Sequence, residues 1–433
     1  QTSTHAHTTS TIKSTVAITT MGKMQSESAV VNRSLDSEAE DDSGHLEDEH
    51  SSDPSVTRSF KGAGAANHGD DSANTAQQLG LKPTTTTWLR GSKIVVFVVL
   101  MLAASLGAYL VYTSTSSEED KSYKAEFMDM ANSIATVAEI NAQAAVRTYE
   151  TVSLQITTYA IGTGSAWPNV TVPQFEALAQ QLSQFTETTS SGLSVFVNQE
   201  DRAGYEDYKM RTNPAWMRDS LDFLGRNDED LPFVFPRIHS GFAGFGFNIS
   251  GPADVYCPLA QVSPVDLAVL LNFDAFSTEG TKELYIAAVE SKSTIFSYVI
   301  NPEANITSEN DWPSSFMASP VMEDVKEDSE VVGILIGTLL WHSFFRDLLP
   351  DDTGDIYLVV RNTCEQEFTY VIDGPNVDYL GQGDQHESPS SNDLSLATNF
   401  TAFASLDACQ YSIHIFPSQE LYDKHHTSGP LLN

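Results

Sequence analysis

The 433 residues predict an α+β protein: a tail without a core, one transmembrane helix that continues into a stalk helix, then a mixed domain with an antiparallel sheet. Three observations carry this. Residues 94–112 hold no charge, amide or proline. Apolar residues then recur three and four apart to about residue 160. From Pro232 the texture changes to short apolar runs between turns, and helices first with strands later is the α+β order.

The nineteen residues IVVFVVLMLAASLGAYLVY span roughly 28 Å as a helix, close to the hydrocarbon thickness of a bilayer. Trp88, Tyr109 and Tyr112 suit the two interfaces. Lys82, Arg90 and Lys93 precede the run, and Glu118, Glu119 and Asp120 follow it. Basic residues stay inside, so the expectation is a cytoplasmic N-terminus and an extracellular segment after residue 113. The domains expected are a disordered tail over 1–87, the transmembrane helix over 88–113, the stalk over 114–165 and the α+β domain over 166–433.

Charge divides along that line. Of 58 acidic and 23 basic residues, 12 and 8 lie at or before Lys93, which leaves 46 and 15 beyond it. The outer part therefore carries about −31 of the net −35, and nucleic acid is excluded as a partner because phosphate binding needs a basic surface. About 320 residues after the span are enough for a large core.

The tail is rich in Ser, Thr, Asp, Glu and Gly and nearly lacks aromatics, so it cannot offset its chain entropy. The run 38–42 with 47–49 reads as solvated charge. His5, His7, His45, His50 and His68 have no ligand spacing. The chain begins with Gln1, and Met21-Gly22-Lys23-Met24-Gln25-Ser26 fits a myristoylation pattern if Met21 is the start.

Phe127, Ile134, Val137, Ile140, Ala144, Val152 and Ile156 mark a helical face over 122–160, expected to pack on its own domain and to form a homodimer seam. Gly162 and Gly164 end it. Thr171 with Gln174 resembles a capping pair for the next helix, through Phe175, Leu178, Leu182 and Phe185. Residues 193–197 read as a strand and 199–230 as mostly helix. Further strands are expected at 265–273, 285–289, 295–300, 331–336, 356–360, 368–372 and 411–416, with a short helix from Trp341 toward Pro350.

Three cysteines are too few for a disulfide-built miniprotein. Cys364 and Cys409 flank adjacent candidate strands, and an oxidising outer face predicts their pairing. The bond would close a 44-residue loop, worth about 4 kcal/mol in the chain-entropy view. Cys257 is expected to be unpaired and buried. Four glycosylation sequons, at Asn169, Asn248, Asn305 and Asn399, all fall beyond the span. One more, at Asn32, lies on the inner side and should be unused.

No phosphate-binding loop, zinc-protease motif, nucleophile elbow or EF-hand loop occurs. Asp228-Glu229-Asp230 is the best enzyme-like signal: a short tail, one span and a D-x-D also fit a type II glycosyltransferase, whose acidic pair holds a metal, and a single-span surface protein without enzymatic activity is the other alternative. His342, His386 and His414 have acidic neighbours in Asp347, Asp384 and Glu387 without ligand spacing, and read as structural or surface histidines.

Several local features recur together: Trp167-Pro168 leading to Phe175-Glu176, 258–264 with Asn272 and Asp274, Val332-Gly333, Trp341, 348–350, 362–364, 368–370, Gly374, 380–386, Cys409 and 416–420. On these, residues 127–433 resemble the extracellular region of diatom receptor-type class III nucleotide cyclases, described as CHASE-like. The resemblance implies a PAS-like antiparallel sheet, a plasma-membrane receptor, an unknown extracellular ligand and guanylate or adenylate cyclase output. It also implies a second span of about 20 apolar residues after Asn433. A cytoplasmic domain should follow, with paired aspartates binding Mg or Mn. No catalytic, cofactor-binding or metal residue of this chain follows from it.

Overall fold

No proline interrupts the chain between Thr85 and Thr163, and those 79 residues form a single helix, α1. The structure is a computed structural model, and it describes residues 85–227, 232–241, 246–300, 312–326, 328–350, 353–387, 394–403 and 409–426. The expected tail disorder, the Asn32 and Asn305 sequons, the Met21 pattern, the five tail histidines and Asp228-Glu229-Asp230 lie outside them.

Residues 31–114 and the residues from Thr115 onward are separate units. In the first, the large apolar side chains from Ile94 to Tyr112 are exposed by 46 to 65%. Among the described residues this one helix is long and apolar enough to cross a membrane.

In the second unit α1 is amphipathic. Tyr123, Phe127, Met130, Ala131, Ile134, Ala138, Ala142, Ala145, Tyr149, Val152, Ile156 and Ala160 are buried on one face, three or four apart. Burying each large member contributes roughly 1.5–3 kcal/mol. The expected face is therefore the domain's own core, except that Ile140 and Ala144 are exposed.

That face packs along two antiparallel sheets, where a single sheet was expected. The first contains β1 (Thr188–Val195), β4 (Leu259–Ser263), β5 (Ile295–Ile300), β6 (Ser314–Met322) and β7 (Val331–Leu340), in the order β4-β1-β7-β6-β5. The second contains β8 (Ile356–Asn362), β9 (Glu367–Asp373), β10 (Asn376–Gln382), β11 (Leu396–Asn399) and β12 (Tyr411–Pro417), in the order β10-β9-β8-β12-β11. A short pair, β2 (Val197–Asn198) with β3 (Val255–Tyr256), stands apart.

Helices α2 (Phe175–Thr186), α3 (Arg202–Phe223) and α4 (Glu279–Ser291) belong with the first sheet, α5 (Trp341–Phe344) connects the sheets, and α6 (Gln419–His425) follows the second. Sheet hydrogen bonds of α1 run from Tyr149 to Ser191 at 3.0 Å, from Ser153 to Ser319 at 3.1 Å and from Thr157 to the Met322 carbonyl at 2.9 Å. Gly337 permits this approach, because a Cβ there would lie 1.8 Å from the Tyr149 hydroxyl oxygen. Nearer its start, α1 meets α6: Tyr123 packs edge-on to Tyr422 and Asp120 bonds His426 at 2.7 Å.

Two glutamines, Gln261 buried and Gln366 half-buried, repair gaps in the first sheet's surroundings. The Gln366 amide donates to the Val299 carbonyl at 2.8 Å and its oxygen accepts from the Val299 N–H at 2.7 Å, where β5 slips register. Gln261 does the same for Val172, at 2.7 and 3.0 Å. Each replaces a missing strand partner, which buried backbone requires.

Three local expectations are corrected. Residues 265–270 form a 3-10 helix rather than a strand, entered from Pro264, and β4 precedes it. Residues 285–289 lie inside α4, which is long enough to present Leu284, Tyr285, Ala287 and Ala288 as one buried face. Thr171 does not cap α2: its hydroxyl bonds Tyr208 at 2.9 Å, and the helix starts after Gln174, which is left-handed at φ 50°.

Candidate functional site

β1 alternates in the way a strand must. The Ser191 hydroxyl bonds Tyr149 of α1, while Ser190, Gly192 and Ser194, with Ser191 between them, border a space on the other side. Those three small residues leave room between the sheet and its cover. The cover is the 3-10 turn with Leu267 and Leu270, then Phe273 and Ala275, then Thr281 and Tyr285 of α4. Ile336 and Thr338 of β7 and Phe316 of β6 complete the floor, around a cavity of about 90 Å³. A Cβ on Gly192 would lie 2.7 Å from Leu259 Cδ1 and 3.3 Å from Ile336 Cγ2.

The cavity is mostly apolar with a few hydroxyls. Ser190 donates to Thr338 at 2.9 Å, and Ser194 shares a hydrogen bond with Tyr285 at 3.2 Å. Burial drives the Tyr285 phenol well above its ordinary range, so it stays a neutral donor. A neutral lining with paired hydroxyls suits a small, largely apolar molecule with one or two hydrogen-bonding groups.

The same unit holds several buried polar groups. Asp274 accepts from the Cys257 N–H at 2.9 Å and the Phe276 N–H at 3.2 Å, and burial raises its carboxyl above the usual range. Cys257 is buried and unpaired, and its thiol is pushed well up by burial and by Asp274. Such a thiol is inert rather than nucleophilic. His239 bonds the Leu271 carbonyl at 3.1 Å and is held below its ordinary value by burial. Lys209 on α3 is fully buried, its amine has no partner among the described residues, and burial lowers it to about 7.

The histidines singled out in the sequence do not converge on this cavity. His342 stacks on Trp312 with ring centroids 3.5 Å apart, and burial lowers it to about 4. His386 pairs with Asp384 and stacks on Phe416 at 3.7 Å. His414 meets Arg361 at 3.3 Å, and Arg361 pairs with Asp384 at 2.8 Å and with Glu367. These last residues form one surface network across β8, β9 and β12. Among the described residues no group of three or more His, Cys, Asp and Glu could hold a metal ion.

Cys364 and Cys409 are joined, with Cα atoms 5.5 Å apart, between the end of β8 and the start of β12. Asn248 and Asn399 are exposed, and Asn169 is half-buried in the turn before α2. Nothing in the sequence pattern marked the cavity: its signature is the small residues of β1, which read as weak strand.

No protein-family description matches the chain, and no curated protein matches it. Among solved structures, it is similar to an extracellular ligand binding receptor from Desulfohalobium retbaense, at 9% identity and a TM-score of 0.30. The match covers 66% of this chain and 40% of that one. A likeness this slight carries no argument.

Proposed function

We propose that the chain is the ligand-sensing portion of a membrane receptor, with its ligand in the cavity behind β1. One observation carries the reading: a single strand touches both the cavity and α1. Ser190, Gly192 and Ser194 border the cavity, and Ser191 between them bonds Tyr149 of α1. A ligand that reshapes β1 alters the contact that the strand makes with the helix. Signalling requires only that the ligand favour one arrangement over the other.

The finer parts rest on the sequence. Receptor-type nucleotide cyclase output rests on the resemblance alone. An inside N-terminus and an extracellular domain at the plasma membrane rest on the charge change across the apolar run and on the sequons beyond it. Homodimerisation through α1 is supported by Ile140, Leu154 and Ile161, exposed by 50 to 58% and spaced by fourteen and seven residues, two heptads and one.

The test is a screen of small neutral molecules against the full chain in lipid nanodiscs, read as a rise in unfolding temperature. Gly192→Val, which fills the cavity, should abolish the response to any hit. Hits that survive the substitution would place the ligand elsewhere. Cyclic nucleotide formation by membranes carrying the whole gene product, with and without a hit, tests the cyclase reading separately.

A further inference from the structure

A second cavity, of about 230 Å³, opens between α2 and the N-terminal end of β1. Hydroxyls and amides line it, from Gln180, Ser183, Thr188, Thr189 and Ser263. One charged side chain in its wall is 2% exposed: Glu176. Its Oε1 accepts from the Ser263 hydroxyl at 2.9 Å, and the Val265 N–H also bonds the carboxylate. Its Oε2 is buried and has no partner among the described residues. Glu176 lines this polar space, and its second carboxylate oxygen is buried without a donor, which a buried polar group requires.

The cation that acts on the Glu176 carboxyl, Arg226, is itself paired. Arg226 pairs with Asp266 at 2.7 Å, at the edge of the same cavity, so its charge is balanced by Asp266. The remaining lining offers hydroxyls, which suit a donor-rich head with a short polar body.

We propose that this cavity binds a small ammonium ion carrying a hydroxyl, with the ammonium on Glu176 Oε2. The inference goes beyond the sensing cavity behind β1 and does not depend on it. Burial holds Glu176 up at about 7, ahead of the opposing hydrogen bonds from Ser263 and the Val265 N–H, with the Asp266 charge raising it further and the Arg226 charge lowering it. A cation binds only the ionised form, so affinity should fall about tenfold between pH 8 and pH 6.

The experiment uses the full chain in nanodiscs, with 2-aminoethanol hydrochloride as probe and the unfolding temperature as readout. Ethylene glycol and sodium chloride at equal concentration are the controls. The expected result is a saturable rise with 2-aminoethanol alone, about tenfold weaker at pH 6 than at pH 8. Glu176→Gln should remove the rise. Ser183→Leu, which keeps the carboxylate and fills the space, should weaken it at least about tenfold, and it serves if the glutamine variant fails to fold. Gly192→Val borders only the first cavity and should leave the rise intact, which separates this site from the sensing cavity. Equal rises with ethylene glycol or sodium, a rise that survives Ser183→Leu, or no rise up to about 100 mM would overturn the proposal.

Discussion

The Tyr149 hydroxyl lies 3.0 Å from the Ser191 hydroxyl and 3.4 Å from that of Thr188, which fastens the middle of α1 to the first half of β1. All three groups are buried. Tyr149→Phe leaves Ser191 without this partner and should cost roughly 1–3 kcal/mol. Gly337→Ala should cost at least as much, because the Tyr149 hydroxyl oxygen occupies the place of the new methyl. Urea unfolding of the full chain in detergent measures both; wild-type midpoints in the two variants would contradict the contact.

Two groups give opposite pH dependences. Lys209 is lowered from 10.5 to about 7 by burial, so the unfolded chain binds the extra proton between those values and stability rises with pH from 7 toward 10.5. Glu176 is raised from 4.5 to about 7 by burial, so the folded chain holds the extra proton and stability falls as pH rises from 4.5 to 7. Lys209→Met should stabilise the chain at pH 7 by roughly 2–4 kcal/mol, and the gain should shrink as pH approaches 10. A gain that stays constant from pH 7 to 10 would show that Lys209 is not held neutral.

The Cys364–Cys409 bond joins the ends of neighbouring strands β8 and β12. Replacing both by Ser should lower stability by about 4 kcal/mol, most of it through the unfolded chain. Peptide mapping without reduction should recover the linked pair and Cys257 as a free thiol; a Cys257–Cys364 peptide would refute it.

Glycan should be found on Asn248 and Asn399, both exposed, and none on Asn32. Glycosidase treatment followed by mass mapping of protein from its native membrane decides this. Glycan on Asn32 would reverse the proposed topology.

Much of the scaffold was legible in the sequence, and the site was not. β5, β8, β9 and β12 are dense in Ile, Val, Phe and Tyr, and they read directly as strands. β1, TTSSGLSV, shows a strand signal only from Leu193 onward. Ser190, Gly192 and Ser194 remove the apolar alternation, and those residues make the cavity, so what makes the site also hid its strand. β6 was missed for a related reason: Ser315 and Ser319 are spent on hydrogen bonds to Trp341 and Tyr411, and to α1 and Thr294, rather than on apolar packing. The buried run 265–270 and the segment 285–289 misled in the other direction, since a short run apolar on all sides has no period to separate strand from helix. Glu176 stood out only as part of the resemblance, because its burial depends on Ser263, 87 residues away.

The most direct test of coupling between cavity and helix is amide hydrogen exchange of the full chain in nanodiscs, comparing wild type with Gly192→Val. Residue 192 faces the cavity, away from α1. If β1 couples the two, protection should change around Tyr149, Ser153 and Thr157 of α1 as well as in β1 and β7. A change confined to the sheet and its cover, with residues 145–160 exchanging as in wild type, would contradict transmission through β1.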